Sequence, residues 1–213
     1  MTTIDSSSVG NPERFRSLEN LVQRLKVLPP GGEDKGRVAL LMRRCAGGRR
    51  ETLDKVVMEP EMGVPGDAWC RDVQRKRDMQ IAVMENGVAE IIANGQPLTL
   101  FGDCLFLELD LSAANLPSGS RLQVGGAVLE VTPMPHNGCQ KFRARFGDGA
   151  LRFVSMRELR HRNLRGIYMR VAVGGEVKIG DPVDVISRTS IAREMKSAEA
   201  QNIAPAHTAK QSI

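Results

Sequence analysis

From Arg37 onward the apolar residues recur in short runs separated by glycine-rich turns, a pattern of strands rather than of long helices. "RVALLMRR" and "ETLDKVVM", separated by "CAGG", predict a hairpin. "MQIAVM" and "VAEIIA" flank "ENG", and the second of these fits a strand or the start of a helix. Further strands are predicted in "CLFLELDL", "RLQVGGAVLEVT", "YMRVAVGG" and "KIGDPVDVI". Val128 and Val131 stand at opposite parities of one strand and are expected to differ in burial, while Gly125–Gly126 before them allows a bulge that leaves open which parity is buried. One helical stripe interrupts this pattern, with Val154, Met156, Leu159 and Leu164 in "LRFVSMRELRHRNLRG", and predicts a helix over Val154 to Asn163.

Before Arg37, "NPERFRSLENLVQRLKVLPP" offers Asn11 as N-cap and Pro12 at the first helical position. Phe15, Leu18, Leu21, Val22 and Leu25 follow at helical spacing until Pro29 and Pro30 end the run. Residues 1–35 therefore read as an extension with a short docking helix. Residues 36–186 form the main domain, and 187–213 a polar tail with helical character around Ile191 to Ala200. The expected fold is mainly β, a barrel or sandwich with an inserted helix and short helical terminal extensions.

Composition narrows the function classes. The 213 residues, 41% of them apolar, suffice for one good core, and no run of about 18 apolar residues predicts a membrane span. The first residues lack the charged-then-apolar order of a secretory signal, so the chain is expected to be soluble and cytoplasmic. Cys45, Cys70, Cys104 and Cys139 form no CxxC pair, which argues against structural zinc and against a disulfide framework. The net charge is +5, and its excess is local: nine basic residues against Asp148 and Glu158 give Gln140 to Arg170 a charge of +7. Such a segment is either a solvated face or an anion site, since guanidinium groups match phosphate. Nucleic acid ranks lowest among the partners, because few aromatic residues and no recognition-helix or RNP-like motif accompany the charge. No P-loop, nucleophile elbow or dinucleotide-binding GxGxxG occurs.

The chemistry concentrates in "PMPHNGCQKF", Pro133 to Phe142. Gly138 permits a sharp or positive-φ turn that exposes Cys139, whereas Cys45, Cys70 and Cys104 read as small core residues. Pro135 biases the backbone so that His136 aims across the turn. His136 and Lys141 are then placed to favour the thiolate, the form that acts as nucleophile, sulfur carrier or metal ligand. If the strand continues past Lys141, then Lys141, Arg143 and Arg145 share one face. His161 reads as solvated and His207 belongs to the tail.

"GVPGDAW" (63–69), "PLTLFGDCLFLELDLSAANLPSGSRLQVGGAVLEVTPMPHNGCQKFRARFG" (97–147) and "LRGIYMRVAVGGEVKIGDPV" (164–183) resemble, in this order, the MOSC domain. This is the molybdenum cofactor sulfurase C-terminal domain family, and the likeness covers about residues 36–186. Its most specific piece is "VLEVTPMPHNGCQKF", followed at the expected distance by "GGEVKIGD". The resemblance implies a barrel-like fold in which Cys139, assisted by His136, binds the molybdenum of a pterin cofactor (molybdopterin) or carries sulfur. Some relatives reduce N-hydroxylated substrates. It further implies that Asn137, Gly138, Lys141, Arg145, Arg165 and Arg170 contact the cofactor, the basic ones through its phosphate. No pyridoxal-phosphate desulfurase portion is present, so a separate sulfur donor or electron-transfer protein is implied, together with a small-molecule substrate. The contrasting reading is a non-catalytic phosphate-binding module built on residues 141–170.

Overall fold

The computed structural model describes residues 3–4 and 9–188; the helical stretch expected near Ile191 to Ala200 and His207 lie outside them. The strands in chain order are β1 (Thr3–Ile4), β2 (Lys35–Arg44), β3 (Arg50–Thr52), β4 (Lys55–Met58), β5 (Ile81–Glu85) and β6 (Leu105–Leu107). They continue with β7 (Arg121–Val124), β8 (Ala127–Val131), β9 (Ile167–Val173), β10 (Gly175–Lys178) and β11 (Pro182–Ser187). Seven of them close into a barrel in the order β2-β11-β7-β8-β9-β5-β6, with β6 returning to β2. The mainly β, barrel-like expectation holds. β3 and β1 extend outward from β2, and β4 with β10 forms a separate two-stranded ladder.

Among the described residues all strand pairings are antiparallel except β5–β6, which run parallel and are joined through helix α3 (Asn86–Ala93). A parallel pair needs such a crossover, and its strands are buried on both faces. Accordingly Ile81, Val83, Leu105 and Leu107 fill the barrel, while Met84 and Phe106 point into a second, helical layer. That layer holds α3, α1 (Leu18–Val27) and α4 (Gln140–Val154), and its centre is Phe101, Phe106, Phe142, Phe146 and Phe153. The run "VAEIIA", open between strand and helix, is thus helical.

Other elements differ from expectation for identifiable reasons. The N-terminal stretch is not one helix. Asn11 caps a 3-10 turn over Pro12–Arg14, and α1 starts afresh at Ser17, whose side chain accepts from the backbone of Asn20 at 3.2 Å. α1 then lies against α4 and buries Leu21 completely. Gly125–Gly126 is the turn of the β7–β8 hairpin, not a bulge, and pairs Val124 with Ala127. Val131 is buried and Val128 only half-buried, as their parity requires. The inserted helix begins fourteen residues earlier than expected, as α4, and Arg157–Arg162 forms a 3-10 helix. Phe142, Phe146, Ala150 and Phe153 lie at helical spacing and seal the second layer, while α4 bends at Gly147 (φ 86). Among the described residues no helix is long and apolar enough to cross a membrane.

Candidate functional site

β8 delivers the chain to a loop, Pro133 to Gly138, anchored at its start by Thr132, whose hydroxyl donates to the Asp78 carbonyl at 2.6 Å. Gly138 is favoured there by close packing, not by a positive φ: a Cβ would come within 2.6 Å of Leu151 Cδ1 and 3.1 Å of Val154 Cγ2 on α4, and those side-chain ends would have to shift. The next residue, Cys139, is extended and serves as the N-cap of α4, its carbonyl accepting from Arg143 at 3.0 Å. Its thiol is exposed. The chain after Cys139 is helical, so Lys141 and Arg145 share a face through four-residue spacing, and Arg143 turns away to Asp148 at 3.2 Å.

Cys139 lies on a cavity of about 760 Å³ on the outer wall of the barrel. Its floor is the cross-strand pair of Ala82 on β5 and Tyr168 on β9. Asn137, His136, Lys141, Ala144 and Arg145 come from the loop and α4. The segment around the β2–β3 turn adds Arg44, Cys45 and Arg50. Arg71, at the end of the short helix α2 (Ala68–Arg71), and Arg165, just before β9, complete it. Val9 borders the cavity as well. Beside it Gly10 presses so closely on α4 that a Cβ would stand 1.7 Å from the Arg145 carbonyl oxygen. Six basic side chains thus line the cavity and, among the described residues, no acidic one does.

Two buried carboxylates behind the wall hold the arginines in place. Asp103, fully buried, accepts from Arg165 Nη1 with both oxygens at 2.9 Å. Asp67 caps α2 and accepts from the Arg44 backbone at 2.7 Å, its Nε at 3.0 Å and its Nη2 at 2.5 Å. Burial works against both carboxylate charges, but Arg165 for Asp103 and Arg44 for Asp67 outweigh it and hold both pKa values below the ordinary aspartate range. Arg71 donates to the carbonyls of Gly66 and Arg44, tying α2 to the end of β2. Burial, with the Cys139 sulfur acting against it and Arg165 adding to it, lowers the pKa of Arg145.

His136 does not face the thiol as a cation. Its side chain is 7% exposed, its ring lies against Tyr168 with centroids 4.3 Å apart and planes tilted by 34°, and its Nδ1 stands 3.6 Å from Asp103, too long for a hydrogen bond. Burial and the neighbouring Arg165 outweigh the attraction of Asp103 and bring its pKa down to about 3, so the imidazole is neutral at physiological pH. Burial likewise raises the Tyr168 phenol. Arg170 is held by Glu130 and by Asp78 at 3.6 Å and is not among the cavity-lining residues. The 141–170 segment therefore divides, and only Lys141, Arg145 and Arg165 of its basic residues line the cavity. Cys104 is buried, with its thiol pushed up to about 12 by burial. Cys45 and Cys70 are half-buried, contrary to a core reading, and their thiols donate to Glu51 at 3.4 Å and to the Asp67 carbonyl at 3.0 Å.

The sequence model of the MOSC domain matches residues 63–184, more than half of the chain and the whole of the Cys139 loop. The chain belongs to the MOSC domain family. Solved structures agree on the fold. A hypothetical protein of known crystal structure superposes with a TM-score of 0.56 at 17% identity, covering 74% of this chain and 70% of that one. YuaD of Bacillus subtilis gives 0.53 at 18% identity, covering 71% and 95%. YiiM of Escherichia coli gives 0.50 at 18%, covering 72% and 71%. No curated protein matches the chain. Arg44, Arg50, Arg71 and Tyr168 on the cavity, and Asp103 behind it, belong to the candidate site and are not found by sequence reasoning; Arg44 and Arg50 lie before the matched residues. Asp67 and Asp103 each follow a positive-φ glycine, Gly66 and Gly102, and that Gly-Asp repetition is the available signal.

Proposed function

We propose that the cavity binds a molybdenum cofactor through its anionic pterin phosphate, and that Cys139 serves as its protein ligand to the metal or as a persulfide carrier. MOSC domains as a family are associated with molybdenum cofactor binding. The observation that carries the reading for this chain is the meeting of six basic side chains, no lining carboxylate and an exposed thiol in one cavity. The residues fit such a group. Arg165 Nε and His136 Nδ1 are buried polar atoms without a hydrogen-bond partner in the structure, and the cavity is large enough for a bicyclic or tricyclic ring system bearing a phosphate.

When bound, the cofactor supplies a two-electron redox centre. Lys141 and Arg145 are the phosphate-binding residues, each charge-assisted hydrogen bond contributing about 1.5–3 kcal/mol. Asp103 fixes the direction of Arg165. Neutral His136, unlike an imidazolium, adds no repulsion to the arginines and retains a ring nitrogen for hydrogen bonding. Tyr168 forms the floor, its phenol kept protonated and so able to donate. A small N-hydroxylated substrate, with an electron-transfer protein as partner, suits the metal-ligand form; a sulfur donor suits the carrier form.

The test is expression in a host that makes the cofactor, followed by molybdenum analysis and pterin fluorescence after denaturation. Molybdenum and pterin should co-purify with the native chain, and Cys139→Ala should lose the metal. A native chain that carries a persulfide on Cys139 and no pterin would assign the carrier form instead. Neither pterin nor persulfide from that host would overturn both.

A further inference from the structure

The cavity contains a second cysteine that the proposed chemistry does not use. Cys45 lines it together with Cys139, and both are accessible to solvent, in contrast to fully buried Cys104. The two arrive from unrelated parts of the chain. Cys45 follows β2 at the start of the β2–β3 turn, and Cys139 precedes α4. We infer that Cys45 is the resolving partner of Cys139, so that a hydroperoxide converts the two thiols into a disulfide that closes the mouth of the cavity.

Three features support the pairing. The Cys45 thiol donates to Glu51 Oε2 at 3.4 Å, a carboxylate that also accepts from Arg43 Nε at 2.8 Å, so an acceptor for the thiol proton is already in contact. The turn after Cys45 is largely exposed and closed by one backbone hydrogen bond, from the Cys45 N–H to the Arg49 carbonyl at 2.8 Å: Gly47 and Gly48 have φ of 68 and 79, and a Cβ on Gly47 would meet nothing within 4 Å. Such a turn can carry Cys45 across the cavity, which a disulfide requires, since its Cα atoms must come within about 7 Å. Cys70, the other half-buried thiol, is engaged with the Asp67 carbonyl and does not line the cavity.

The chemistry balances in two steps. The Cys139 sulfur attacks the hydroperoxide, the O–O bond breaks, and the sulfur gives up two electrons to form a sulfenic acid, releasing water or an alcohol. The Cys45 sulfur then attacks the Cys139 sulfur, the S–O bond breaks, and water leaves. The Cys45 proton passes to Glu51 and then to the departing hydroxyl. An external dithiol reverses the sequence by thiol–disulfide exchange. This inference does not depend on a bound cofactor, and its failure would leave the proposed function untouched.

The experiment treats the reduced full chain, at low protein concentration, with stoichiometric hydrogen peroxide, then alkylates it and maps tryptic peptides without reduction. Trypsin releases Cys45 as residues 45–49, and the linked product joins that pentapeptide to the peptide ending at Lys141. Expected are this linked pair in the native chain, its disappearance on reduction, and in Cys45→Ser a Cys139 trapped by dimedone or advanced to sulfinic acid. Cys70→Ser should still form the link. A native chain whose Cys139 advances to sulfinic acid as fast as in Cys45→Ser, with no linked peptide, would overturn the proposal. So would a link to Cys70 or to Cys139 of a second copy.

Discussion

Removing the carboxylate of Asp103 isolates the forces that build the cavity wall. Asp103 is 0% exposed and binds Arg165 Nη1 at 2.9 Å with both oxygens, and the Arg165 side chain is itself 9% exposed. Asp103→Asn keeps the shape and leaves a buried guanidinium without its counter-charge. Breaking one side of a buried pair costs about 3–5 kcal/mol, because the surviving ion has lost water and gained no partner. For a chain of this size each kcal/mol corresponds to about 2–4 °C, so the melting temperature should fall by roughly 6–20 °C. Circular dichroism melts and urea midpoints at pH 7 measure it. Asp103→Asn combined with Arg165→Met removes both charges and should be destabilised by clearly less than the sum of the two single substitutions. The pH dependence carries the sign. Because Asp103 has a folded pKa below its ordinary value, its contribution is present above about pH 3.8 and is lost as pH falls through the folded value, so native and Asp103→Asn curves should converge in acid. A single substitution costing under about 1 kcal/mol, or strict additivity in the double, would refute the reasoning.

His136, neutral in the fold with a pKa down to about 3 against 6.5 in the free side chain, binds its proton first in the unfolded chain. Stability should therefore decline as pH falls from about 6.5 toward 3, and His136→Gln should flatten that slope in urea titrations; an unchanged slope refutes the neutral assignment. Limiting alkylation near pH 6.5, followed by peptide mass spectrometry, should label exposed Cys139 well before buried Cys104; the reverse order defeats the placement of the thiol. Phe142→Ala, at the centre of the aromatic layer with Phe101 and Phe146 around it, should cost about 3–5 kcal/mol in the urea midpoint. Gly10→Ala, whose Cβ has no room against the Arg145 carbonyl, should detach the segment before α1 and raise its hydrogen exchange, and unchanged exchange there would show the contact to be incidental.

The barrel strands are legible because each short apolar run is bounded by glycine turns, and "RLQVGGAVLEVT" even carries its own hairpin turn. The exposed thiol is legible too, since Cys139 sits in a polar loop between proline and lysine. α4 is not. Phe142-Arg143-Ala144-Arg145-Phe146 alternates with the period of a strand and equally places its two phenylalanines on one helical face, and Gly147 and Gly149 weigh against a helix. Burial against α1 and Phe101 decides the question, and that is tertiary information. Likewise "RRCAGGRR" does not say which arginines turn inward. Arg44 does so because Asp67 receives it, and no local pattern links positions 44 and 67. Nor does a lone histidine after proline reveal that it will be buried on Tyr168.

The closure of the barrel orders events during synthesis. β2 must pair with β11, bringing Lys35 beside Asp184, before the ring is complete. Arg44 leaves the ribosome early, whereas Arg165 and Tyr168 leave near the end of the described chain. A nascent chain stalled before residue 164 has Cys139 and five of the six basic residues of the wall, but lacks Tyr168 of the floor and Arg165, the counter-ion of Asp103. Such contacts between distant segments are slow to form. A ligand of this cavity, the proposed cofactor included, therefore has no complete receptor to meet until translation is nearly finished, and its binding would follow folding rather than guide its first steps.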